Sequence, residues 1–350
     1  MGGRNRFLAG CVAAAWCAAS VAFVPPARAA GEWFVDGLGL PAEACEPYAL
    51  VEALAMQRAP GGGGPLVLDT TTDLPVITGD SLQSAMAPGI RAVYGRHGPC
   101  ALGWEVGYVG VYGMVADQLA SGSNNLAVPP QLSDELAGLR NAAAAFAKYT
   151  SSFDSVEANL LLTQQNWRPA RVSSYPHEDV TRVITWDWLA GFRWAGLTEA
   201  AALTLTQPGG LLSDTYATRT SNNLFAGQLG FKARADWGLW ALDGWLKAGL
   251  AGTAISQAQA PIVDYTGDVY PGRSARTADL GGIFDIDVAV SRRIAEHWAI
   301  RVGWNSIWLT GVALATNQFD FSNAETAGTT VANSGTFWIN GVTLGLEGRW

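Results

Sequence analysis

Beyond residue 30 the chain has no apolar run near the roughly 18–20 residues that a membrane-spanning helix needs. A mature chain that crosses a bilayer must then do so with strands closed into a barrel, because lipid offers no partner to an open sheet edge. Charge is scarce as well. Asp, Glu, Lys and Arg make up 15% of the residues, against roughly 25% in an average soluble domain. Bases are the scarcer sign, 22 against 30 acids, which excludes the basic footprint of a nucleic-acid binder. Histidine occurs only at His97, His177 and His297, so general-base catalysis has little material to draw on. Cysteine is limited to Cys11, Cys17, Cys45 and Cys100. What the chain has in quantity is glycine (41) and tryptophan (15), for the bends and the two interfacial belts of a barrel.

The N-terminus reads as an export signal. Arg4 and Arg6 precede an apolar stretch from Phe7 to Val24, then Pro25-Pro26 and the small-residue site Ala27-Arg28-Ala29. These are the charged, apolar and cleavage regions of a signal peptide, taken here as residues 1–29. Leu8-Ala9-Gly10-Cys11 stands too close to the start to be a lipoprotein acceptor. Loss of Arg4, Arg6 and Arg28 leaves 19 bases against 30 acids, and Cys11 and Cys17 leave with the signal. An even pair, Cys45 and Cys100, remains in an oxidising compartment.

The C-terminus carries the strongest pattern. In WINGVTLGLEGRW, Trp338, Val342, Leu344, Leu346 and Trp350 fall on one face, and Thr343, Glu347 and Arg349 on the other. Period-two alternation ending on an aromatic fits the closing strand of an outer-membrane barrel. Seven earlier segments repeat it. Trp104, Val106, Tyr108 and Tyr112 oppose Glu105; Val156, Ala158, Leu160 and Leu162 oppose Glu157 and Asn159. Trp186, Trp188, Phe192 and Trp194 oppose Asp187 and Arg193; Phe225, Leu229 and Phe231 oppose Gln228, Lys232 and Arg234. Trp240, Leu242, Leu246 and Leu250 oppose Asp243 and Lys247; Phe284, Ile286, Val288 and Val290 oppose Asp285, Asp287 and Arg293. Finally Trp298, Ile300, Val302, Trp304 and Trp308 oppose Arg301 and Asn305. Trp298 and Trp308 stand about 33 Å apart along a strand, or about 25 Å of height at a tilt near 40°, the usual gap between aromatic girdles.

Eleven runs read as strands: 47–57, 86–95, 101–113, 153–164, 180–195, 198–206, 218–234, 237–252, 279–292, 296–312 and 336–350. Bacterial barrels have even counts, short periplasmic turns and longer external loops. The expectation is therefore an all-β antiparallel transmembrane β-barrel over residues 30–350 with about twelve strands, ten being the alternative. The twelfth lies near 139–150, where an Ala-rich stretch also reads as a short helix, or else at Trp33–Leu38. On this scheme 195–198, 235–237 and 293–296 are periplasmic turns, while 165–180, 253–278 and 313–335 are external. Cys45 and Cys100 then share the periplasmic rim as a candidate disulfide.

Several blocks resemble the planctomycete outer-membrane family called β-barrel protein seven. They are TRTSNNLFAGQLGFKAR (218–234), DGWLKAGLAG (243–252), WLAGFRW (188–194), HWAIRVGWNSIWLTGVALATNQFDF (297–321) and FWINGVTLGLEGRW (337–350). PYALVEALAM, GPLVL and GIRAVYG are similar to its N-terminal portion. The resemblance implies a fold and an outer-membrane location and supplies no catalytic residue.

Inward positions carry seven acids (Glu105, Glu157, Asp187, Asp243, Asp285, Asp287, Glu347) and seven bases (Arg193, Lys232, Arg234, Lys247, Arg293, Arg301, Arg349). Balanced charge reads as mutual pairing inside a structural or narrow-pore barrel. A solute-conducting channel and surface adhesion through the external loops are the alternatives. No GxSxG, HExxH or phosphate-cradling loop occurs, so neither enzyme activity nor a cofactor or metal is expected. His177 beside Glu178 and Asp179 reads as a solvated loop, Asp264, Asp268 and Asp320 match no calcium-loop spacing, and Gly61–Gly64 reads as a flexible loop. Expected partners are membrane lipids and, through the C-terminal strand, the barrel-assembly machinery; oligomeric state is not encoded legibly. The disulfide is testable: mass spectrometry of the unreduced mature protein should find Cys45 and Cys100 in one linked peptide pair, and two alkylatable thiols would exclude it.

Overall fold

A computed structural model describes residues 45–97, 102–163, 170–171, 181–210, 212–263, 265, 267, 269–322 and 324–350. The strands are β1 (Glu46–Arg58), β2 (Pro65–Asp69), β3 (Leu74–Thr78), β4 (Ala87–His97) and β5 (Leu102–Ala127). There follow β6 (Ala142–Thr163), β7 (Ala170–Arg171), β8 (Thr181–Thr206), β9 (Ser213–Trp237) and β10 (Trp240–Gln259). Last come β11 (Ile262–Val263), β12 (Val269–Tyr270), β13 (Arg273–Arg293), β14 (Trp298–Val312) and β15 (Gly335–Arg349). Antiparallel pairing runs β5–β4–β1–β15–β14–β13–β10–β9–β8–β6, and β6 pairs back onto β5. Ten strands thus form a closed ring, while β2 and β3 hang from the far end of β5. Across the belt, closure gives each ring strand a partner on both sides, as lipid requires.

The twelve-strand expectation is corrected to ten, its stated alternative. The run expected near 139–150 and the run at 153–164 are one strand, β6, and 180–195 and 198–206 are one strand, β8. The Ala-rich stretch holds a one-turn helix, Leu132–Glu135, and a 3-10 turn, Ala137–Leu139, before β6 begins. Merging β8 removes the turn expected at 195–198. It also moves the connection 164–180, because Thr163 pairs with Asp187 and Leu162 with Leu102, at the barrel end that holds both Glu46 and Arg349. We call this end the base and the opposite end the crown. The expectation that 165–180 lies at the end opposite the C-terminal strand is therefore corrected: its flanking strands end at the base, beside Arg349. Trp33–Leu38 lies outside the described residues.

The two merged strands were missed because their polarity inverts partway. At the base end of β8, Trp188 and Phe192 face out and Asp187 and Arg193 face in. Higher up, Leu197, Leu203 and Leu205 are buried inside, while Thr204 faces outward to its cross-strand neighbour Thr215. The inversion follows one ring: Val156, Trp194 and Phe225 are cross-strand neighbours, and so, one step higher, are Asp154, Gly196 and Asn223. Below the ring the outside is greasy. Above it the outside is mostly polar, with Val115, Leu119 and Phe146 as exceptions, and the inside is an apolar core, the arrangement of a water-soluble sheet protein.

Strand length shows how far the crown rises. β5, β6, β8, β9, β10 and β13 have 20 to 26 residues, whereas β1, β4, β14 and β15 have 11 to 15. A strand of 26 residues extends for about 85 Å at roughly 3.3 Å per residue, far more than a bilayer needs. The short-strand side of the crown is closed by β2, β3 and the segment between β14 and β15. Gly113 (φ 73°) sits in the β5 bulge between Val111 and Met114, after which the inward face passes from odd to even positions. Trp298 packs edge-on against Trp350 near the base, and Trp308 stacks on Trp338 near the inversion ring.

Two apolar layers occupy the interior above the charges. The lower includes Leu54, Met56, Phe153, Leu197, Leu309, Phe337 and Ile339. The upper includes Leu66, Ile77, Leu132, Leu139, Tyr149, Leu203 and Tyr216. Phe153 and Phe337 stack at 5.9 Å across the lumen. Phe337→Ala should therefore destabilise the barrel by about 3–5 kcal/mol, as large core deletions do, while lipid-facing Leu344→Ala changes it far less; thermal unfolding in detergent reads both.

Candidate functional site

Alternation on ten strands points an ionic layer into the lower lumen. Its centre is Arg301, which pairs with Asp243 at 2.9 Å and more closely with Glu52 and Asp287. Arg91 bridges the same acids, 2.9 Å from Glu52 and 3.0 Å from Asp287. Between these cations stands the Trp245 indole, with Arg91, Lys247 and Arg301 each within 4.9 to 5.1 Å of its ring. Its N–H donates to Asp285 at 3.1 Å. Three cations on one ring combine cation–π attraction with ion pairing, which matters more where water is excluded.

A second cluster adjoins the first. Glu105 accepts from Lys232 at 2.6 Å and from Asn159 at 3.0 Å, and Lys247 bonds closely to Glu157. Arg193 pairs with Asp285 at 2.9 Å and donates to Ser155 at 2.8 Å. Nearer the base, Arg234 contacts Glu347 at 3.0 Å and Asp243 at 3.7 Å, Arg349 turns back onto Glu347, and His97 approaches Asp187 at 3.6 Å. Thirteen of the fourteen residues expected in the lumen thus share one continuous layer. The exception is Arg293, a correction: it ends β13 at the base and is exposed. Glu52, Arg91 and Trp245 were not anticipated. Trp245 had a signal, since it lies midway between inward Asp243 and Lys247. Glu52 and Arg91 had a weak one, because on β1 the inward face is the larger and greasier, with Tyr48, Leu50, Leu54 and Met56.

One ion pair lies apart, within the apolar layers. Arg58 meets Glu199 at 3.3 Å and covers the Tyr149 ring at 4.4 Å, while the Ala315 amide donates to Glu199 at 2.9 Å. That amide belongs to the β14–β15 segment, which turns inward and plugs the crown. Asn222 holds Ala313 through both amide groups (2.9 and 2.7 Å), Thr218 donates to the Ala315 carbonyl, and Gln259 donates to the Gln318 carbonyl. Within the plug, partial burial alone would raise the Asp320 carboxyl. Donors from Ser322 and Gly328 hold it below the usual carboxylate range instead.

The closing-strand residues Trp338, Val342, Leu344, Leu346 and Trp350 all face outward. Cys45 immediately precedes β1, with its sulfur 3.2 Å from the Leu102 carbonyl oxygen; Cys100, His177, Asp264 and Asp268 lie outside the described residues. Among the described residues no cluster of His, Cys, Asp and Glu could hold a metal ion. A cavity of about 20 Å³ is left in the ionic layer, between Arg91, Arg193, Trp245 and Asp285. A larger one, about 560 Å³, opens in the crown beside the plug.

A closed antiparallel cylinder with a greasy belt between aromatic girdles and an enclosed ionic lumen defines the class of porin-like outer-membrane β-barrels. The sequence profile described as Putative beta barrel porin-7 (BBP7) matches residues 32–350, and the chain belongs to that family. No curated protein matches it in sequence. Among solved structures, the Escherichia coli outer membrane protease OmpT covers 87% of this chain and 97% of its own, with a TM-score of 0.51 and 10% identity. A major outer membrane protein of Thermus thermophilus covers 87% and 99%, with a TM-score of 0.34 and 11% identity. Likeness at such identity concerns the fold alone.

Removing one partner from a buried ionic network leaves the others uncompensated, at a cost of about 3–5 kcal/mol. Arg301→Met should show this loss in thermal unfolding, and adding Asp287→Asn should recover part of it. Additive losses in the double variant would show that the two do not interact.

Proposed function

We propose that this protein is a non-conducting outer-membrane barrel that anchors a folded crown outside the bilayer. The carrying observation is the filled lumen. Above an ionic layer whose cavity, at about 20 Å³, has room for roughly one water, two apolar layers and the 313–334 plug occupy the bore. An ion would have to shed its water against Phe153, Phe337 and Leu309. Removal of the plug alone would leave the lower apolar layer in place.

In this reading the base faces the periplasm and the crown faces outward, because three of the four connections at the base, 98–101, 238–239 and 294–297, are short and the C-terminal strand ends there. Residues 1–29 serve as the cleaved signal, the C-terminal strand engages the assembly machinery, and a Cys45–Cys100 disulfide ties the N-terminal approach to the base. Lipid is the partner of the outer belt. The role is structural rather than enzymatic: the acids of the ionic layer are engaged mostly by cations, and Ser291, which donates to Asp243, shares that carboxylate with Arg301 and Arg234.

Planar-bilayer recordings decide the matter. The purified protein should give no stable single-channel steps, also after reduction of its disulfide. Regular steps of uniform size would end this reading in favour of a solute channel.

A further inference from the structure

The crown cavity of about 560 Å³ lies between the start of β2, the β5–β6 connection and the plug, lined by Gly63, Gly64, Thr316, Asn317, Phe319 and Phe321 among others. Its volume falls within the roughly 300–1,000 Å³ of small-molecule sites. The walls divide by chemistry. On one side Phe319 and Phe321 lie nearly parallel, 6.0 Å apart at 10°, backed edge-on by Tyr216. On the other a glycine run brings bare backbone to the surface. Gly62 (φ 71°) and Gly63 (φ 149°) adopt backbone that favours glycine, and side chains there are excluded by conformation. The run expected to be a flexible loop is pinned instead: Thr316 donates to the Gly62 carbonyl at 3.4 Å, and Gly79 donates to that of Gly64 at 3.3 Å.

One observation points to a ligand. The buried Oδ1 of Asn317 has no hydrogen-bond partner, an expensive omission in a packed protein. It stands 3.3 Å from where a Cβ on Gly63 would be. Gly64, by contrast, has ordinary backbone and is exposed, so a side chain there would enter the open cavity mouth and meet nothing within 4 Å.

We infer that this cavity binds a neutral saccharide of one or two rings. No charged side chain lines it, and Arg58, beneath the neighbouring Gly61, is committed to Glu199. A charged ligand would be buried without a counter-ion. A wholly apolar ligand would cover the glycine backbone and the Asn317 amide and leave them unsatisfied. A pyranose ring meets both walls, its C–H face against Phe319 and Phe321 and its hydroxyls toward the glycine run, Thr316 and Asn317. The inference does not depend on whether the barrel conducts.

The test is titration calorimetry on the full-length protein in a detergent without a sugar headgroup. Cellobiose, maltose and N-acetylglucosamine are the candidates, with glucuronic acid and cyclohexanol as charged and apolar comparisons. At least one neutral sugar should bind saturably, and the comparisons should not. Gly64→Leu, which fills the cavity, and Asn317→Ala should each weaken binding by about tenfold or more, with melting temperature in the absence of sugar unchanged. Should Gly64→Leu fail to fold, Asn317→Ala carries the test. Silence from all three sugars, binding indifferent to both variants, or equal binding of cyclohexanol would each overturn the assignment.

Discussion

The structure depends on the closure of one hydrogen-bonded ladder. Once β6 pairs back onto β5 and β1 onto β15, no strand of the ring has a free edge across the belt, and every residue there must choose between outside and bore. Lipid sets that choice over one stretch of each strand and water sets it over the next. The inversion at Val156, Trp194 and Phe225 is where one solvent gives way to the other. Below it the cylinder wears its apolar side chains outward and encloses its ions. Above it the same strands behave as an ordinary soluble sheet folded round an apolar core.

The enclosed charges explain why the lower lumen can be both ionic and stable. A lone buried ion is costly, and a pair regains that cost only where geometry and further hydrogen bonds cooperate. Here the pairs overlap. Glu52 and Asp287 each serve both Arg91 and Arg301, Asp285 serves Arg193, Trp245 and Asn305, and Glu105 serves Lys232, Lys247 and Asn159. Trp245 supplies a polarisable surface for three cations at once. Such a network fixes the spacing of ten strands from within, while tryptophan pairs mark the two edges of the belt outside. The crown uses a different means, with neutral side chains of Thr218, Asn222, Gln257 and Gln259 holding the inserted plug by its backbone.

Sequence reading succeeded wherever the lipid-facing pattern was strong. The faces of β10, β13, β14 and β15 follow directly from period-two alternation, and so do Asp243, Asp285, Asp287 and Arg301. It faltered at the inversion. Ala195-Gly196-Leu197-Thr198-Glu199 looks like a turn because the greasy residues change sides there, yet the backbone continues straight through. β1 concealed its inward face for a related reason, since its outward residues Ala49, Ala53 and Ala55 are small and its inward ones large. The bulge at Gly113 shifted the phase of β5 without an outward sign beyond a glycine.

By itself the sequence determined the membrane belt, the outward face of each belt strand and the enclosure of acids together with bases, because each is a local pattern of polarity along one strand. Only the tertiary structure decided that there are ten strands, that the bore is filled and that a cavity opens beside the plug. Those outcomes rest on contacts between residues far apart in the chain, such as Arg58 with Glu199 or Asn222 with Ala313. No local period encodes which distant side chain will fill a given space.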